Sequence, residues 1–574
     1  MRRTLNMFAV ADHWLGCIVG SLVVACFPVS AQTAGQMAQL NVQELAPPND
    51  LGTPASDGFQ LPPIAPPALP RLAASTPTVR INRIVFQGNS VISTDELNGL
   101  VAPYLGKELN EADLEDLRLQ ITRHYIERGF VNSGALFGES PVSGQDLTVQ
   151  LVEGRLKAIH LRGMDGLEND YVLKRLARDP EAVFNVDQLR ERFQLLLDDP
   201  LFRRMNARIL PGDKLGEAVL DVDVVRAVPY QWSVFANNYR PPSIGENVLG
   251  MSGWIRNLTG YGDHLEISVQ RSPAHANSTR ASLGWQIPLN AFGTQLSVQF
   301  DRGLSSVIEE PIRDLAIQSS LDSKDIGLSQ TLTETLSHKL SVGLHRTDRK
   351  SQTTLAGLPF SFVPAEPTGI VKISAWRFWQ EYGFRTEQQV LTLRSTFSVA
   401  RNNLQPVAGL PAGATVPDDQ NYRVWIGQAQ YVRRVLDNGA QFVWRGTLQQ
   451  TSDRLLSLDR MSVGGIYTVR GYRENELLWH KGRIFNFEFN YPLMRQSEHG
   501  VGFALIPFYD IGRGHNQAEP TETMSSVGLA SRLNWRGIRL DVVVAKRLRH
   551  PDDVVPRGGA LQDRAMHVQL VHEF

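Results

Sequence analysis

Between Pro229 and Phe574 apolar and polar side chains alternate with a period of two, which restricts the region to sheet with one apolar and one polar face. Leu265, Ile267 and Val269 interleave with Glu266, Ser268 and Gln270, and Leu296, Val298 and Phe300 with Gln295, Ser297 and Gln299. Phe485, Phe487, Phe489 and Tyr491 do the same with Asn486, Glu488 and Asn490. A soluble sandwich produces this alternation too, but is usually much shorter than this stretch. A membrane barrel fits the length: at about ten residues per strand plus turns and longer outer loops, residues 228–574 predict a 16-stranded transmembrane β-barrel, although length alone would allow roughly 14 or 18 strands. The fold class expected is mainly β, with the barrel preceded by α/β modules.

The start of the chain sets the compartment. Arg2 and Arg3 precede an apolar run from Leu15 to Phe27, and Val29-Ser30-Ala31 supplies the small residues of a cleavage site, so residues 1–31 read as a secretory signal peptide cut after Ala31. Cys17 and Cys26, the only cysteines, both lie in it, which leaves the mature chain without disulfide or Cys-metal chemistry. The competing reading, a lipoprotein site at Val23-Val24-Ala25-Cys26 with Cys26 acylated, is less economical because an integral barrel needs no lipid anchor. Beyond residue 31 no stretch approaches the roughly 18 to 20 apolar residues of a spanning helix. The mean hydropathy of −0.20 is compatible with strands that present only every second side chain to lipid. With 58 basic and 59 acidic residues, the chain lacks the basic footprint of a nucleic-acid binder.

Nine prolines between Pro47 and Thr78, including Pro62-Pro63 and Pro66-Pro67, mark residues 47–78 as an extended linker. Before it, residues 32–46 are polar with Met37, Leu40 and Leu45 loosely spaced, a weak helix or coil. After it the pattern becomes α/β. Ile84-x-Phe86-x-Gly88-Asn89 reads as a strand ending in a turn, and Ser93-x-x-Glu96 as a capping box opening a helix. Leu114, Leu117, Ile121 and Tyr125 stripe a second helix that stops at Gly129, and Leu147, Val149 and Leu151 alternate along a closing strand.

The pattern recurs with a fixed offset. Ile84, Phe86 and Gly88 map onto Ile159, Leu161 and Gly163; Leu114 and Ile121 onto Leu189 and Leu196; Leu147 and Val149 onto Val222 and Val224. A duplicated β-α-α-β-β module explains this, at 79–154 and 155–227. Leu117 falls on Arg192 and Leu151 on Arg226, as diverged copies allow. The apolar positions are core. Any binding would use an open sheet edge or a helix groove; at an unpaired edge an extended peptide adds as a strand through main-chain bonds.

Two motifs stand out near the C-terminus. Val469-Arg470-Gly471-Tyr472 offers a guanidinium, and Phe508-Tyr509-Asp510-Ile511-Gly512 offers a carboxylate on a strand whose Phe508, Asp510 and Gly512 share one face. Charge facing lipid is costly, so that face must look into the lumen. Arg470 suits bidentate pairing with Asp510. Gly471 permits a tight backbone turn, and Tyr472 can pack on the wall while its hydroxyl finds a partner.

Together these motifs resemble the signature pair of outer-membrane assembly and secretion barrels, in which a Val-Arg-Gly-Tyr loop folds inward to meet a Phe-x-Asp-x-Gly strand. The two modules resemble POTRA domains, and Val152-Glu153-Gly154 at their join is typical of the two-partner secretion branch. Asn257-Leu258-Thr259-Gly260-Tyr261-Gly262-Asp263 is similar to an element near the start of such barrels, and Val568, Leu570, His572 and Phe574 form a last strand whose terminal Phe574 resembles the barrel-assembly signal. The resemblance, to haemolysin and filamentous-haemagglutinin secretion transporters, covers nearly the whole mature chain. It implies a Gram-negative outer-membrane pore with periplasmic POTRA 1 and POTRA 2 that secretes, and activates, one unfolded TpsA-type exoprotein. It also implies that residues 32–46 plug the lumen, and that the partners are outer-membrane lipid, the barrel assembly machinery and periplasmic chaperones, without nucleic acid.

No His-Glu-x-x-His, Gly-x-Ser-x-Gly or Gly-x-x-x-x-Gly-Lys motif is present, so no catalytic residue, metal ligand or cofactor is expected. Trp254, Tyr261, Trp425 and Tyr431 read as interfacial girdle or barrel packing. The alternatives are an insertion factor of the same superfamily, in which three or more POTRA domains are common, and a passive porin or receptor.

Overall fold

A computed structural model describes residues 78–574 apart from 139–141, 144, 274–277, 311, 364, 365, 367, 405–417, 496–499, 518 and 551–558. The expected signal peptide, plug segment and, except for Thr78, the linker lie outside the described residues. The rest forms two compact units, an α/β tandem and a barrel.

In the tandem's first module the strands Arg83–Gln87, Asp146–Val152 and Gly134–Leu136 lie in that order, the first pair parallel and the second antiparallel. Alternation along Asp146–Val152 turns Leu147, Val149 and Leu151 toward Leu117, Ile121 and Tyr125 of the helix Glu111–Glu127, all buried. The second module repeats the order with Arg155–Arg162, Glu217–Arg226 and Phe202–Pro211. Its helix Val186–Leu197 buries Leu189, Phe193 and Leu196, so the position expected from Leu117 is taken by Phe193, one residue beyond Arg192. Arg226, at the position expected from Leu151, points its guanidinium to the carbonyls of Leu201 (3.1 Å) and Met164 (3.3 Å).

The capping box expected at Ser93 is formed in one direction. Ser93 Oγ accepts from the Glu96 amide at 3.2 Å, but the Glu96 carboxylate turns to His124 Nε2 (2.7 Å) and Arg128, tying the first helix to the second. The reciprocal box belongs to the next helix: Asn110 Oδ1 accepts from the Asp113 amide and Asp113 Oδ2 from the Asn110 amide, both at 2.9 Å. Direct bonds join the modules. Gly129 ends the helix Glu111–Glu127 at φ +87°, and its carbonyl accepts from the Val186 amide at 2.9 Å. Asn185 caps the second module's helix through its Oδ1, while its Nδ2 donates to the Arg128 carbonyl at 2.9 Å.

The barrel runs up and down from Tyr230–Asn237 to Met566–Glu573, each strand antiparallel to the next, and closes by pairing Ser233–Asn237 with Gln569–Glu573. It has 16 strands, with the two-residue piece Leu358–Pro359 folded back on the end of His338–Leu355. Burial is inside out. Met251, Phe300, Leu344, Phe378, Phe397 and Leu529 are exposed on the outer face, whereas Asp301, Arg349, Ser351, Asn486, Asp510 and Ser526 are buried on the inner one. That arrangement suits hydrocarbon outside and polar partners inside. Trp425 and Tyr431 share the outward face, donating to Ser395 Oγ (3.0 Å) and Gln389 Oε1 (2.9 Å). Trp254 instead lies on the face of Glu266, under the Arg256 guanidinium, 3.8 Å from its ring centroid. The turn after Trp254 is closed by the Asn257 amide on the Asp263 carbonyl (2.6 Å), and the Asp263 carboxylate accepts from Trp285 Nε1 at 2.9 Å.

Candidate functional site

The segment between Gln441–Gln450 and Lys481–Met494 enters the lumen. Its short strands Met461–Val463 and Leu477–Trp479 pair into a hairpin, and Met461, Val463, Val469, Tyr472 and Trp479 form an apolar cluster with Ile484 and Met524 of the wall. Burying these side chains removes the apolar part of the loop from water, and the polar atoms must then be satisfied by the wall.

Arg470 is the centre of that satisfaction. Its Nε donates to Asp510 Oδ2 at 2.7 Å, its Nη2 to Oδ1 at 2.8 Å and its own amide to Oδ2 at 3.0 Å. Asp510 is 0% exposed and Arg470 5%, so the pair is desolvated rather than wet. A second ion pair adjoins the first. Glu488, on the neighbouring wall strand, takes Arg470 Nη1 at 2.8 Å and also pairs with Arg445. Asn486 donates to Asp510 Oδ1 at 2.8 Å and to the Thr468 carbonyl.

The other motif residues have distinct tasks. Phe508 places its ring against the guanidinium, 3.6 Å from centroid to Cζ, a cation–π contact within the desolvated cluster. Gly512 leaves room for the hairpin: a Cβ there would lie 3.1 Å from Val463 Cγ1 and 3.2 Å from Val469 Cγ2. Gly471 adopts φ +90°, and a Cβ on it would meet Ala545 Cβ at 2.6 Å. Its carbonyl accepts from Arg547 Nε at 2.6 Å. Tyr472 is fully buried and its hydroxyl bonds to the carbonyls of Ser525 (3.1 Å) and Arg549.

The structure therefore brings Val469, Arg470, Gly471 and Tyr472 onto Phe508, Asp510 and Gly512. Phe574 is not part of this site. It sits on the outward face beside His572 and extends the closing ladder through paired bonds with Trp232 at 3.0 and 3.1 Å. The motifs alone passed over Glu488, although a carboxylate between the lipid-facing Phe487 and Phe489 must point inward. They also missed Arg473, which pairs with Asp563 (2.6 Å) and Glu309 (2.8 Å), both in connections between wall strands. Among the described residues no grouping of His, Cys, Asp or Glu could hold a metal ion, and no helix is long and apolar enough to cross a membrane.

Residues 216–534 match the haemolysin secretion/activation protein family ShlB/FhaC/HecB. The chain belongs to that family. Residues 79–154 match the ShlB-type POTRA domain. The chain is 23% identical over 485 residues to "Outer membrane transporter CdiB" of Dickeya dadantii (strain 3937), covering 83% of this chain and 82% of that protein. It is 25% identical over 218 residues to "Heme/hemopexin transporter protein HuxB" of Haemophilus influenzae (strain 86-028NP), 38% of each chain. The solved structure of CdiB from Escherichia coli shares the fold, with a TM-score of 0.68 at 19% identity over 95% of this chain and 98% of that one. This ShlB/FhaC/HecB member is thus a two-partner secretion transporter of the outer membrane, with POTRA domains in the periplasm.

Proposed function

We propose that this transporter secretes one specific unfolded TpsA-type exoprotein and activates it, with the lumen loop as the gate. The observation that carries the reading is the position of Arg470, clamped between Asp510, Glu488 and Phe508 inside the barrel. A loop held there obstructs the pore, so passage of a chain requires it to move. In this reading the mature protein begins after a signal peptide at 1–31, residues 32–46 add a plug, 47–78 act as spacer, and the POTRA domains at 79–154 and 155–227 deliver the client to the barrel at 228–574.

Client capture would use strand addition to a sheet edge of the tandem, which demands little of the client's sequence beyond extended backbone. The chain has no nucleotide-binding motif, and client folding outside the cell supplies direction to the movement. Phe574, at the end of the closing strand, is the residue we assign to recognition by the barrel assembly machinery, with periplasmic chaperones escorting the unfolded precursor.

Secretion of a co-encoded large exoprotein into the medium tests this, comparing wild type, Arg470→Ala and a deletion of 79–226, with barrel insertion followed by heat-modifiable gel mobility. Secretion by wild type that is lost in both variants despite normal insertion supports client-specific translocation. Secretion indifferent to the deletion rejects it in favour of a passive pore.

A further inference from the structure

The loop is held a second time, by residues that precede the hairpin and share no partner with Arg470. Before the hairpin, Leu455, Leu456 and Leu458 are buried against an apolar patch on the inner wall made by Leu321, Ile373, Ala375, Ala400, Tyr422 and Val424. Next to them Asp459 sits among polar wall groups. Its carboxylate takes the Arg349 guanidinium and the Tyr422 hydroxyl, with Arg377 Nη2 at 3.9 Å. Arg349 Nη1 also donates to the Leu458 carbonyl at 3.1 Å. Gln449 Nε2 donates to the carbonyls of Asp459 (3.1 Å) and His480 (3.2 Å), which draws the two feet of the loop together. The side chains of Arg349 and Asp459 are 5% and 11% exposed, as sequestered from water as the Arg470 cluster.

The two anchorages use different walls. The tip is bonded to Lys481–Met494, Val501–His515, Glu522–Trp535 and Ile538–Arg549. The base is held by Gln318–Glu334, His338–Leu355, Ile370–Arg385, Gln389–Asn402 and Asn421–Arg434. The two sets flank Gln441–Gln450 in the barrel order, the strand from which the loop departs and whose Gln449 and Arg445 reach the base and the Glu488 of the tip cluster, so the loop is fastened to the wall on either side of its own root. We propose that Asp459 is a second positioning residue, whose clasp on Arg349 and Tyr422 ties the base of the loop to one arc while Arg470 ties the tip to another, so that the pore opens fully only when both release.

The inference concerns the resting loop and does not depend on a client. Breaking Arg470 alone frees the tip but leaves the base of the loop fastened to the inner wall. Breaking Asp459 alone leaves the tip latched. A buried pair that loses one partner is penalised by the charge left behind, so each clasp resists release by itself.

The test uses the full-length protein in planar bilayers, beside the same variants lacking residues 32–46, so that the plug proposed for that segment does not mask the conductance. Residues 32–574 contain no cysteine, so Thr468→Cys in a background with Cys17 and Cys26 replaced by Ala, at a buried hydroxyl with no partner among the described residues, reports tip release through its rate of maleimide labelling. Arg470→Ala should raise labelling by about tenfold or more with conductance near wild type. Asp459→Asn should leave labelling low. Together they should raise conductance by more than the product of the single effects. Arg349→Met should reproduce Asp459→Asn in the Arg470→Ala background and add nothing to it, whereas Asp459→Glu should return conductance to that of Arg470→Ala alone. Heat-modifiable mobility selects folded barrels. Full conductance from Arg470→Ala by itself, or no response to either Asp459→Asn or Arg349→Met in that background, overturns the second clasp and leaves the secretion reading to be judged by its own assay.

Discussion

Arg470 and Phe508 meet face on, with the guanidinium carbon 3.6 Å from the ring centroid, while the same arginine binds Asp510 two residues further along the same strand. The wall strand thus grips one side chain by its face and by its edge. Phe508→Leu keeps apolar bulk but removes the quadrupole, which is worth about 1 to 2 kcal/mol in a desolvated contact. Exchange of the Arg470 amide, bonded to Asp510 Oδ2 at 3.0 Å, should then quicken by roughly five- to thirtyfold. Asp510→Asn should have a larger effect, about 3 kcal/mol or more, because it leaves a buried cation with a single carboxylate partner.

Gly471 is constrained twice, by φ +90° and by Ala545 Cβ, which lies 2.6 Å from where a side-chain methyl would stand. Gly471→Val should therefore release the tip, with backbone strain of about 1 to 3 kcal/mol added to the clash. Ala545→Gly in the same chain removes the clash but not the strain. Maleimide labelling of the Thr468→Cys reporter should fall only part-way back toward the level seen with the native glycine in that double variant, and a complete return would show that sterics alone mattered.

Glu153 gives the first POTRA domain a pH dependence. Burial pushes its carboxyl up, but the Ser90 hydroxyl, the Val91 and Ser90 amides (3.0 and 2.8 Å) and the Tyr125 hydroxyl (3.0 Å) outweigh that and hold it below the ordinary 4.5. Its contribution is therefore present above the unfolded carboxyl's value and is lost as pH falls through the lower folded one. Glu153→Gln should cost roughly 1 to 3 kcal/mol of local stability at neutral pH. Measured as protection of the Val91 amide, the difference from wild type should shrink below about pH 4.5 and vanish once both proteins carry a neutral side chain; a pH-independent gap would contradict the assignment.

Asn185 serves two modules at once, capping Val186–Leu197 and holding the Arg128 carbonyl at 2.9 Å. Asn185→Ala should cost about 0.5 to 2 kcal/mol in the cap. It should also broaden the distance distribution between spin labels placed one on each module, whereas Asn185→Asp, which keeps the cap but not the donor, should broaden the distribution while sparing the helix.

Much of this was legible in the chain. Alternation with period two determines sheet, and the cost of charge in hydrocarbon determines that Asp510 and Glu488 face the lumen, whatever else surrounds them. The repeat that carries Ile84 to Ile159 and Val149 to Val224 determines two modules of one design, since each apolar position must find the same core. The spacing did not show that the Glu96 side of the first capping box would turn to His124, because Arg128 and His124 compete for that carboxylate only once the two helices pack.

Only the tertiary structure decided who shares Arg470. Register places Asn486 opposite Asp510 and Glu488 opposite Phe508, and a slip of one residue would have turned those side chains to lipid. Likewise Asp459 finds Arg349, a partner distant in sequence, only because the barrel closes and the loop folds into it. The local pattern of a strand states which face is polar. Which polar groups become neighbours across that face is set by pairing and closure, and these depend on the whole chain.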